Sequence, residues 1–192
     1  MANYINLIIK CLKNKRNIAL ICAIIFVFGV ILGVVLSISE SFICLYRDFL
    51  LSYFDRILSR DNFGVSYLFR RLILCLVLFL IIGLSSLNKY TFYLTFLILL
   101  YRGYVLGFAF KLFIGELLIN GVFFFLFLVL VNALFTALAI TLFICLYYTK
   151  TTANNINCAL KHLLVCSIIA IIGLILEFIF IVVIFRPFNF YF

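Results

Sequence analysis

Tryptophan is absent, proline and histidine occur once each, and only six of 192 residues are acidic. Charged residues make up 11% of the chain, against roughly a quarter in a soluble domain, so this composition cannot clothe a water-facing surface. A lone histidine, His162, leaves no histidine pair for metal ligation or a proton relay, and its place at the start of the last apolar run reads as interfacial. No HExxH, GxSxG, P-loop or Rossmann fingerprint occurs, so no catalytic site and no cofactor-binding motif is expected. Intramembrane hydrolysis would need a nucleophile with a positioned base, and no such pair stands out. Repeats and low-complexity linkers are also missing. The longest polar stretches, 40–64 and 148–162, leave no room for a soluble domain.

What is abundant is apolar. Hydrophobic residues make up 69% of the chain and mean hydropathy is +1.39. In lipid a backbone satisfies its own hydrogen bonds, as helices or as a closed barrel. Barrel strands alternate apolar and polar residues, whereas 18–38 and 163–185 are almost uninterrupted. The expected fold is therefore all-α, a polytopic membrane bundle. At ~20 residues per crossing, five spans are expected, at 18–38, 65–84, 90–112, 121–146 and 163–185. The first exceeds a signal-peptide core of about 7–15 residues and reads as an uncleaved anchor. Arg70 and Arg71 fall in the first turns of the second span.

The basic N-terminus, residues 1–17 with Lys10, Lys13, Lys15 and Arg16, favours a cytoplasmic start under the positive-inside rule. An odd number of crossings then places the C-terminus outside the cell. The later loops add little. Inner segments would hold seven basic residues and outer ones six, Arg70 and Arg71 included. The net charge of +9 is spread over both sides, which fits attraction to anionic headgroups and not nucleic acid. The seven cysteines show no CxxC. Within apolar runs free cysteine behaves as a small hydrophobe.

Between the first two spans, 40–64 is expected to be extracytoplasmic, and 42–60 is amphipathic. At helical spacing Phe42, Tyr46, Phe49, Leu50, Tyr53 and Ile57 share one stripe, with Asp48, Ser52, Asp55 and Ser59 opposite. Such a helix lies in the membrane interface. Its polar stripe is either a docking face for a partner or simply solvated. Asp48 and Asp55 are two turns apart, about 10 Å. As solvated carboxylates they have no reason to shift their pKa, which argues against catalysis.

Polar residues at membrane depth usually face the bundle interior. Arg102 lies about 18 Å beyond residue 90, and Glu177 about 21 Å beyond residue 163, by helical rise. Asn132 falls at similar mid-depth. An Arg102–Glu177 pair with Asn132 joining its hydrogen bonds is expected, because pairing offsets much of the cost of burying either charge. The cluster is either structural glue or a solute site. Gly29 and Gly33, and Gly103 and Gly107, form two GxxxG motifs that allow close helix approach. Ala133, Ala137 and Thr141 continue a small-residue stripe in the fourth span.

The run Leu100-Tyr-Arg-Gly-Tyr-Val-Leu-Gly-Phe108 resembles the x-G-[FY]-x-x-G-F segment of the stage II sporulation protein M family. The order of features is also similar: a basic N-terminus, an anchor, an extracytoplasmic segment, then four close spans. Leu130-Val-Asn132-Ala133 stands where family members carry a Leu-Pro-Gln-Asn-like stretch; it keeps the Asn and lacks the Pro and Gln. The resemblance implies a non-enzymatic membrane component of forespore engulfment. Such a protein would organise peptidoglycan-remodelling partners, a lytic transglycosylase and an amidase/endopeptidase. The leading expectation is thus a cell-membrane scaffold acting through 40–64, with a homo-oligomer left open. The rival is a small transporter subunit, like the substrate-binding membrane proteins of vitamin uptake, which usually have six spans. That count requires 42–58 to cross the bilayer, and the six charges between Arg47 and Asp61 argue against it.

Overall fold

The computed structural model describes residues 15–36, 63–86, 91–147 and 156–180. All regular structure within them is helical. Five helices are present: α1 (Arg16–Val35), α2 (Phe63–Ser85), α3 (Leu94–Phe124), α4 (Val131–Tyr147) and α5 (Ile156–Phe180). A 3₁₀ turn, Thr91–Tyr93, leads into α3, and a π-helical segment, Phe125–Leu130, joins α3 to α4. Stretches of α1, α2, α3 with its 3₁₀ turn, and α5 are long and apolar enough to cross a membrane. The 17 residues of α4 rise about 26 Å, and the π segment supplies the remainder of a ~30 Å hydrocarbon core. The chain is a multi-pass membrane protein. Relative to the expected spans, α1 and α2 each begin two residues earlier, and α5 begins seven residues earlier. The expected amphipathic segment 40–64 lies outside the described residues, apart from the helical backbone at 63–64.

Helical backbone runs without a break from Leu94 to Tyr147, yet this is not one straight rod. A rod would hold Phe92 and Tyr147 about 80 Å apart. Their rings instead stack with centroids 3.8 Å apart, and Phe110 meets Phe125 edge-on at 5.0 Å. The chain therefore reverses between Phe113 and Phe125, and α3 and α4 form an antiparallel hairpin. At its open end Thr91 Oγ1 donates to the Ser85 carbonyl (2.7 Å), and Ser85 and Thr95 share a hydroxyl–hydroxyl bond (3.1 Å). These bonds tie the end of α2 to the start of α3.

Contacts fix every remaining direction. Gly29 lies on Gly103, and Gly33 lies against Tyr104 and Phe108; numbers rise together, so α1 and α3 run parallel. Gly83 faces Leu163 while Arg71 faces Glu177, so α2 and α5 are antiparallel. Gly173 on Phe135 and Glu177 on Asn132 make α4 and α5 antiparallel as well. The five helices thus alternate in direction, and α1 ends at the same end of the bundle where α2 begins.

Burial concentrates on α4, whose Ala139, Ile140 and Ile144 are fully enclosed. Around it the outer helices leave large apolar side chains bare, among them Ile24 (66% exposed), Phe69 (65%) and Val35 (69%). In water such a coat would aggregate; in lipid it is the matching surface. Cys22, Cys75, Cys145 and Cys166 are buried and form no disulfide, packed as small hydrophobes.

Candidate functional site: a buried carboxylate at the helix crossing

Lipid is as apolar as a leucine side chain, so membrane helices gain little by hiding apolar surface from it. They associate through close packing and internal hydrogen bonds. Both devices occur in this bundle. A Cβ placed on Gly29 would strike the Leu100 carbonyl oxygen, and one on Gly33 the Tyr104 carbonyl oxygen. Reciprocally, Gly103 lies under the Phe26 carbonyl and Gly107 under the Val30 carbonyl. The two GxxxG motifs therefore pack on each other, backbone to backbone. Gly173 is a third close approach, where a Cβ would strike Phe135. It belongs to no GxxxG, so only the packed structure reveals it.

Glu177, one turn beyond Gly173, is 1% exposed. Asn132 Nδ2 donates to its Oε2 at 2.7 Å, and Arg71 Nη2 stands 3.5 Å from its Oε1. Thr136 supports the asparagine from one turn further along α4. Its hydroxyl donates to the Asn132 carbonyl (2.8 Å) and lies 3.2 Å from Oδ1. That contact turns the amide so that its NH₂ faces the carboxylate. The π segment bears on this too. A π turn carries more residues than an α turn, so it rotates α4 about its own axis relative to the residues just before it. Asn132 is the second residue beyond it.

The expected Arg102–Glu177 pair does not form; the cation on Glu177 is Arg71. Helix α2 begins at Phe63, so Arg71 is eight residues into the helix, about 12 Å along it, and the antiparallel register with α5 carries it level with Glu177. Arg102 has Arg71 and Cys75 as its electrostatic neighbours across the seam with α2. Of the expected trio, Asn132 and Glu177 meet, and Arg102 is not the cation that joins them. Asp48, Ser52, Asp55 and Ser59, the candidate partner face, lie outside the described residues. His162 is buried near the start of α5. Among the described residues no three His, Cys, Asp or Glu side chains group as metal ligands would. A scan of protein-family models, a search of curated proteins and a search of solved structures each found no match to this chain.

Proposed function

We propose that the protein is a non-enzymatic membrane scaffold, with its N-terminus cytoplasmic and its C-terminus outside the cell, that gathers extracytoplasmic peptidoglycan-remodelling enzymes. The observation that carries this reading is the placement of Val35 and Phe63 at one end of the bundle. The segment joining them, which includes the amphipathic stretch 42–60, therefore starts and ends on the same side. That arrangement supports a presented surface over the extra crossing that a six-span transporter subunit requires. The ties on both oxygens of Glu177 also support a structural role for the buried carboxylate. Sporulation and engulfment enter through the resemblance of residues 100–108 to the stage II sporulation protein M family.

The test is affinity capture of the detergent-solubilised protein from the native membrane, followed by mass spectrometry. Reversing Asp48 and Asp55 to Lys is expected to abolish capture of the lytic transglycosylase and amidase partners while membrane insertion and abundance stay unchanged. Undiminished capture by the double reversal would remove the docking role from this segment. Loss of solute uptake on changing Glu177, with capture intact, would favour the transporter.

A further inference from the structure

One stripe of α2 faces the bundle, at spacings of three and four residues, and its two halves are packed differently. In the second half Cys75, Phe79, Ile82 and Ser85 are buried. In the first half Leu68, Arg71 and Leu72 are half-buried, and among the described side chains of α2 none before Cys75 is enclosed. Polar ties pin the second half as well. Ser85 shares its hydroxyl bond with Thr95 and takes the Thr91 hydroxyl on its carbonyl, and Gly83 sits against Leu163. In the first half, Arg71 Nη2 stands 3.5 Å from Glu177 Oε1, with the arginine side chain 39% exposed. That is looser than a close charge-assisted bond of about 2.7–2.9 Å. Few buried apolar contacts and an open side chain are the marks of a segment of low local stability.

We propose that α2 is a hinged strap: it pivots about the Ser85–Thr95 clasp, and the Arg71–Glu177 contact is the latch that holds its first half over the buried carboxylate. Glu177 is gripped from two sides, and the two grips differ. Asn132 holds Oε2 from α4, whose Ala139, Ile140 and Ile144 are fully enclosed, so that side is fixed in the core. Arg71 holds Oε1 from the loosely packed half of α2, so that side is free to leave. Release uncovers Oε1 and leaves Asn132 in place. Opening turns a carboxylate toward lipid, which is costly, so the closed state dominates and the open one is a minor population. The moving end begins at Phe63, where the chain arrives from the segment that follows α1. The latch therefore sets how that segment is anchored, whatever it binds.

The test labels the purified full-length protein in detergent with N-ethylmaleimide and reads each cysteine by peptide mass spectrometry. Cys75, one turn beyond Arg71, reports on the first half of α2; the fully enclosed Cys22, Cys145 and Cys166 report on the rest. Arg71→Met and Glu177→Gln are each expected to raise the Cys75 rate about tenfold, the scale of a charge-assisted bond converted to an opening equilibrium. The three enclosed cysteines should be unchanged. The double variant should add little beyond the faster single, and Arg71→Lys, which keeps the charge, should stay near the wild type. Ile140→Val, which loosens the α4 core instead, should not raise Cys75 selectively. An unchanged Cys75 rate in both single variants, or a rise shared equally by Cys166, overturns the proposal. If Arg71→Met does not fold, Glu177→Gln decides, together with amide hydrogen exchange of the wild type. There 68–75 should exchange ahead of 79–85, and an even profile along α2 also overturns the strap.

Discussion

Glu177 and Arg71 meet at 3.5 Å with the carboxylate enclosed and the guanidinium partly open, so their removal should be asymmetric. Arg71→Met takes the cation from a buried negative charge. Glu177→Gln leaves a cation that can snorkel toward the headgroups. Arg71→Met is therefore expected to destabilise more than Glu177→Gln. The double variant should lose less than the sum of the singles, with a coupling of about 1–3 kcal/mol in thermal melts in detergent. The same cycle on Arg102 and Glu177 should give near-additive losses. Coupling of Glu177 to Arg102 and not to Arg71 would contradict the geometry. Asn132→Leu removes the short bond to Oε2 and leaves Thr136 without the side-chain oxygen it faces. It should cost about 1–3 kcal/mol by the same melts.

At the scale of elements, α1 is held chiefly by its crossing with α3, and only Cys22, Gly29 and Gly33 are buried along it. The crossing depends on the absence of four side chains. Gly29→Leu or Gly107→Val must push a backbone carbonyl aside, which neither helix can do by changing a rotamer. Each is expected to release α1, seen as a loss of monodisperse protein on size-exclusion chromatography and new proteolysis at the N-terminal helix. Gly115 provides the contrast, because a Cβ there meets nothing within 4 Å; Gly115→Ala should be neutral. Gly173→Ala should destabilise α4–α5 packing, because Phe135 offers its Cβ, which a rotamer change does not move. Equal tolerance at Gly107 and Gly115 would show that the crossing is looser than described.

For the whole molecule, the alternating helix directions combine with the proposed cytoplasmic N-terminus into a topology that fusions can test. A phosphatase fused after Phe192 is expected to be active and a green fluorescent reporter there dark, while both fusions should reverse after Lys89. A fluorescent, phosphatase-negative fusion after Phe192 would contradict the five-span arrangement. The internal arrangement is independent of which side is cytoplasmic: α1 parallel to α3, with α2 and α4 opposed to α5, rests on side-chain and backbone contacts alone.

The sequence by itself determined the class and the packing faces. Long apolar runs in lipid have helices as their outlet, and a GxxxG spacing places two glycines on one side of a helix wherever it packs. Hence five helices and the Gly29/Gly33 and Gly103/Gly107 faces were legible without coordinates. The tertiary structure decided which faces meet and at what level. Arg71 read as a residue of the first turns because the helix start was set at 65, and two more residues of helix, with the antiparallel register to α5, bring it to Glu177. Arg102, Asn132 and Glu177 shared a depth in the sequence, but depth is one coordinate of three. The angular position of Asn132 depends on a π turn that its apolar sequence does not announce. The Gly173–Phe135 contact was equally invisible, because a single glycine becomes a contact only when another helix arrives against it.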